Sequence, residues 1–126
     1  MSVEFKNRTF DFSMRIVHLV RKLPDNAEGM IFGRQLLRCA TSVGANYRAA
    51  SRAKSDKDFL NKMKICEEEA DEALYWLELI KHANLFPESK MQPIIAEADE
   101  ICAIITSICK TTAAKIFKSQ APLRKS

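Results

Sequence analysis

The chain has 126 residues, with 20 Lys and Arg against 16 Asp and Glu for a net charge of +4, and only 3 glycines and 4 prolines. That length suits one domain, and stretches of Ala, Leu, Ile, Glu, Lys and Arg with so few breakers favour helix over strand. No run approaches the roughly 18 apolar residues of a membrane helix. The opening Met1-Ser2-Val3-Glu4-Phe5-Lys6 lacks the apolar stretch of a secretory signal, so a cytoplasmic protein with no membrane partner is expected.

In chain order, the first helix is predicted over Thr9 to Leu23, with Thr9 as cap, Asp11 near the positive end and Pro24 as stop. After a loop at Pro24–Glu28, a second helix runs from about Ala27 to Lys54. Ser55-Asp56-Lys57-Asp58 offers an N-cap and an acidic first turn to a third helix ending near Asn84. Ser89 is expected to cap a fourth helix reaching Ile116, with Pro93 tolerated near its first turn. Residues 1–117 then form one domain, and the basic, aperiodic segment 118–126 is expected to be a disordered tail. Connections this short force neighbouring helices to run in opposite directions, so the expected fold is all-α, an antiparallel up-down-up-down four-helix bundle.

The helix faces carry the functional clues. The fourth helix has one apolar stripe, Met91, Ile94, Ala98, Ile101, Cys102, Ile105, Ile108 and Cys109. The third has two: Phe59, Met63, Cys66, Ala70, Ala73, Leu74 and Leu77 on one face, and Ile65, Trp76, Leu79 and Ile80 on a shoulder that also carries Glu69 and Glu72. The first helix likewise shows Phe10, Met14 and Val17 apart from Phe12, Ile16, Leu19 and Leu23. So much apolar surface points to self-association, with Ile65, Glu69, Glu72, Trp76 and Leu79 as the candidate interface; the plain alternative is deep burial inside one small bundle. On the second helix, Arg34, Arg38, Arg48 and Arg52 project within roughly 80° of one another at about 100° per residue. Such a strip either binds phosphates, as in RNA or DNA, or is neutralised by the acidic third helix.

Catalysis is not indicated. Cys39, Cys66, Cys102 and Cys109 form no C-x-x-C pair and fall on apolar stripes, so they are expected to be reduced core thiols. His18 and His82 have no nucleophile or carboxylate at relay spacing, and neither follows a Glu by three residues as a di-iron bundle needs. No enzyme, cofactor or metal is expected.

The segment Thr41-Ser42-Val43-Gly44-Ala45-Asn46-Tyr47-Arg48, preceded by Arg34-Gln35-Leu36-Leu37-Arg38 and followed by Asp58-Phe59-Leu60, resembles the four-helix bundle family named for a bacterial 23S rRNA intervening-sequence protein. The run Glu69 to Leu79 is similar to that family's third helix, and the resemblance extends over about residues 5–115. It implies a homopentameric ring. Members are encoded within insertions in 23S rRNA genes or elsewhere in bacterial genomes, and a similar fold serves as accessory protein to reverse transcriptases of diversity-generating retroelements. The resemblance therefore favours a nucleic-acid-associated scaffold, contacting RNA, DNA or a nucleic-acid-bound protein, over a purely protein-binding one. Ser42, Gly44 and Asn46, with Arg38, Glu69 and Glu72, match the family's signature positions, with Gly44 expected to permit close helix approach. In the commoner family form an acidic residue and a glycine follow soon after the motif Asn. Here Asn46 is followed by Tyr47-Arg48-Ala49-Ala50, so no role of that acid carries over.

Overall fold

The structure, a computed structural model, describes residues 2–120. It is all-α: α1 (Val3–Arg21), α2 (Ala27–Ala50), α3 (Asp56–His82) and α4 (Glu88–Gln120). Each helix starts or stops for a local reason. Ser2 caps α1 by accepting from the amide of Phe5 at 3.1 Å, so the helix begins six residues before Thr9. Thr9, expected as the cap, is buried and donates its hydroxyl to the Lys6 carbonyl at 3.0 Å. The extra turns bury Phe5, which meets Tyr47 edge-on with ring centroids 4.7 Å apart. Asn26 caps α2 through the amide of Gly29, and α2 ends at Ala50, four residues short of the expected end.

Ser55 caps α3 as expected, accepting from the amide of Asp58 at 3.0 Å. Beyond its end, Asn84 takes a positive φ of 57°, a conformation Asn tolerates. The amides of Leu85 and Asn84 return to the carbonyls of Ile80 and Lys81, a Schellman stop. α4 begins at Glu88, so Ser89 lies inside its first turn rather than capping it. It also runs on to Gln120, which makes Lys118–Gln120 helical; the rest of the expected tail, residues 121–126, lies outside the described residues.

Contacts between helices run in opposite senses along the chain. Early in α2 Phe32 meets Trp76, then Arg38 meets Glu69, then the Val43 carbonyl accepts from Cys66. Lys81 faces Glu88 and Asp56 faces Lys115, so α3 and α4 are antiparallel as well. The core combines Phe12, Ile16 and Leu19 of α1, Leu36, Val43 and Tyr47 of α2, Met63, Leu77 and Ile80 of α3, and Met91, Ile101 and Ile105 of α4. Ile80, expected on the outer shoulder of α3, therefore belongs to the core. Burial pushes the thiols of Cys39 and Cys66 up to about 12 and that of Cys102 up to about 11, which keeps them protonated at neutral pH.

Gly44 is not where close approach is forced: a Cβ there would meet the Thr9 carbonyl oxygen at an ordinary 3.5 Å, whereas at Gly29 it would stand 2.1 Å from that of Pro24. Gly29→Ala is therefore expected to lower stability by about 1 to 3 kcal/mol. Gly44→Ala should raise it by about 0.5 to 1 kcal/mol through helix propensity. Urea unfolding of the two variants checks both signs.

α1 and α4 approach each other least closely of the neighbouring helices. Their seam is held by Arg8, whose Nε and Nη2 donate to the two oxygens of Glu97 at 2.8 and 2.7 Å, Nη2 also donating to Glu100 at 2.9 Å. The guanidinium holds the Glu97 carboxyl below its usual 4.5. A carboxyl depressed in the folded state contributes stability that is complete above its unfolded value and is lost as pH falls through the folded one. The urea midpoint is accordingly expected to fall on acidification below about 4.5. Glu97→Gln should be less stable at neutral pH and lose less on acidification, which unfolding curves at several pH values will show.

Candidate functional site

Because Leu36, Cys39, Ala40, Val43, Tyr47 and Ala50 occupy the buried stripe of α2, the opposite arc of that helix faces outward. Arg34, Arg38 and Arg48 lie on it and are exposed; Arg52, expected on the same helix face, stands instead in the turn beyond the helix end at Ala50, also exposed, because the helix stops short of it. The structure then divides the strip. Arg38 turns towards α3, where Nη1 donates to Glu69 at 3.2 Å and Nη2 donates to Glu72. Oε2 of Glu72 accepts at the same time from the Trp76 indole at 3.1 Å. These two bonds, the indole's foremost, draw the Glu72 carboxyl below its usual range, and the Glu72 bond raises the pKa of the Arg38 guanidinium.

Arg34, Arg48 and Arg52 form no ion pair among the described residues. Arg48 and Arg52 instead border a groove of about 540 Å³ between α1 and α2, together with Lys6, Asn7, Thr9, Phe10, Ser13, Thr41, Gly44 and Ala45. Three cations and no carboxylate line it. Phe10, from the second apolar face of α1, is 65% exposed at its edge. Tyr47, the aromatic residue of the signature segment, is 1% exposed and serves the core. Lys6 and Phe10 were not singled out in the sequence as parts of a charged site. The available signal is the buried series Phe5, Thr9, Phe12, Ile16 and Leu19, which leaves Lys6 and Phe10 on another side of α1.

The α3 shoulder is only partly open. Ile65 is 45% exposed, while Trp76 and Leu79 are half-buried. Trp76 packs on Phe32 of α2, centroids 5.8 Å apart, and meets the exposed Tyr75 edge-on at 5.2 Å. Of the signature residues, Ser42 and Asn46 satisfy each other within α2: the Asn46 amide donates to the Ser42 hydroxyl at 2.8 Å and carbonyl at 2.9 Å. His82 lies beside the Glu78 carbonyl of its own helix at 2.8 Å. Among the described residues no group of three His, Cys, Asp or Glu is placed to hold a metal ion, and no helix is long and apolar enough to cross a membrane.

Four antiparallel helices with a paired α2–α3 seam and a cationic α1–α2 groove define an all-α bundle of the kind the signature segment implies. The chain belongs to the 23S rRNA-intervening sequence protein family, which matches over residues 1–107. It is also similar to a crystal structure of a protein of unknown function from the S23 ribosomal protein family of Bacteroides thetaiotaomicron. The two are 36% identical, with a TM-score of 0.77 over 83% of this chain and 97% of that one. Among curated proteins no match is found.

Glu72 joins Arg38 of α2 to Trp76 of α3, so its loss leaves an indole N–H without its acceptor at the seam. Glu72→Ala is expected to lower Tm and shift Trp76 emission to the red. Glu72→Gln, which keeps an acceptor oxygen without the charge, should do both to a smaller extent. Thermal melts followed by tryptophan fluorescence compare the three proteins.

Proposed function

We propose that this protein is a non-enzymatic, self-associating bundle that contacts RNA or DNA through the open part of the α2 arginine strip. The observation that carries this reading is the α1–α2 groove, where Lys6, Arg48 and Arg52 stand together with no carboxylate among the lining residues. Arginine and lysine groups left without an internal counter-charge are what a phosphate backbone recruits, and contacts of this kind carry little base sequence information. Arg34 extends the same strip along α2, whereas Arg38 belongs to the α2–α3 seam.

Self-association draws support from the α3 shoulder, where Tyr75 is exposed beside the half-buried Trp76, Leu79 is half-buried, and Ile65 is exposed about three turns earlier on the same helix. Glu69 and Glu72 lie within that surface, already paired to Arg38, so they bring no unpaired charge into a contact between copies. This shoulder and the groove lie on different sides of α2, and an assembly built on the first leaves the second open. A ring of five, the state the family resemblance implies, would repeat the groove five times and multiply weak phosphate contacts into avidity.

A single sample tests both halves of the reading. Light scattering at micromolar concentration should return a mass several times that of one chain. Titration with labelled RNA and duplex DNA should give binding that weakens about 40-fold per engaged protomer as salt rises from about 50 to about 200 mM, for three duplex phosphates neutralised. The double substitution Arg48→Glu, Arg52→Glu should abolish it. A monomer mass overturns the assembly, and no binding at low salt, or binding untouched by the charge reversals, leaves a protein-binding scaffold in its place.

A further inference from the structure

The α1–α2 groove is more than a cationic patch, because an aromatic ring lies open at its edge. Phe10 is 65% exposed although α1 has a well-formed buried stripe of its own, and it shares the groove with Lys6, Arg48 and Arg52. Asn7, Ser13 and Thr41 add uncharged polar groups. The Ser13 hydroxyl already donates to the Thr9 carbonyl at 3.1 Å, so its oxygen is left as an acceptor.

We infer that this groove binds single-stranded nucleic acid, with a base stacked on Phe10 and the adjoining phosphates held by Arg48, Arg52 and Lys6. The inference rests on the nucleic-acid reading above and narrows it. A charged strip alone does not distinguish duplex from single strand, since both present phosphates. An open ring beside the cations does, because a base inside a duplex is stacked and paired and offers no face to a lone side chain, whereas an unpaired base offers a π-face of either chemistry. The groove's volume, about 540 Å³, lies in the range of clefts that take small ligands. It suits one or two unpaired nucleotides better than the width of a helix. Its charge is complementary to theirs: three cations and no acid among the lining residues.

The occupant could instead be a second copy of this chain, with Phe10 buried in the assembly, and the experiment separates the two. Affinities of the full chain for single-stranded RNA, single-stranded DNA and duplex DNA are measured at one low salt concentration, for the wild type, Phe10→Ala and Phe10→Trp, alongside the mass of each protein by light scattering. Single strands of both kinds should bind more tightly than duplex. Phe10→Ala should weaken single-strand binding about 5- to 100-fold, the range of one lost base stack, while duplex affinity, salt dependence and mass stay unchanged. Phe10→Trp should keep the affinity, and its added fluorescence over that of Trp76 should be quenched by single strands. Equal binding of single strand and duplex, with Phe10→Ala indifferent to both, overturns the stacking inference while leaving the phosphate contacts standing. A fall in mass for Phe10→Ala with single-strand affinity retained assigns the ring to a subunit contact and overturns it too. Absence of any binding at low salt removes both readings together.

Discussion

The burial of one stripe of α2 between α1 and α3 is the constraint from which the surface of the molecule follows. Leu36, Cys39, Ala40, Val43, Tyr47 and Ala50 are each at most 1% exposed. A helix whose inner positions are fixed this firmly has no rotational freedom left, so its outer arc is fixed as well. Arg34, Arg38 and Arg48 are therefore held on the outside, and Arg52 follows them in the exposed turn beyond Ala50. Which neighbour each arginine meets is then a matter of side: Arg38 leans over the α3 acids, and Arg48 and Arg52 lean over α1.

One helix thus serves two electrostatic purposes. Towards α3 its charge is consumed in a network where Glu72 accepts from both a guanidinium and an indole. Towards α1 its charge stays available, because the outer side of α1 brings Lys6, Asn7, Phe10 and Ser13 but no carboxylate to the groove. Glu67, Glu69 and Glu72 are turned to the α3 side of the bundle, with Glu67 paired to Lys64 of its own helix. The modest net charge of +4 consequently says little about local field; what matters is which charges meet, since Glu69 and Glu72 are met by Arg38 while the three cations of the groove have no carboxylate beside them in its lining.

Much of this was legible in the sequence because helices announce themselves by periodicity and by their ends. The four-helix order, the Ser55 cap and the apolar stripe of α4 all follow from spacing and capping chemistry. The start of α1 was not, because Thr9 has the chemistry of a cap and the position of a core residue, and only packing of Phe5 on Tyr47 decides between them. Ile80 was placed on the shoulder because a helical wheel ranks angle, not the depth to which a neighbouring helix covers it. The groove itself escaped for a related reason. It is made by the register of α1 against α2, which sets Phe10 beside Arg48, and neither helix alone contains that pairing. Gly44 shows the converse, a residue whose type suggested a tight contact where the backbones leave room for a methyl group.

The weakly joined seam between α1 and α4 has a bearing on how the chain reaches this state. Pairing of α1 with α2, α2 with α3 and α3 with α4 asks only that adjacent segments fold back through short turns, and such contacts form with little loss of chain entropy. Docking α1 on α4 is different, since Arg8 and Glu97 are 89 residues apart along the chain. Once the three hairpins have formed, however, the two partners are already carried to neighbouring corners, and the remaining loop closure is a matter of registration. A bidentate ion pair is well suited to that step, because its directionality favours one axial alignment of the two helices. The bundle is in this sense a zipper with a latch: local pairing assembles it, and the Arg8 guanidinium fastens the seam at which it closes.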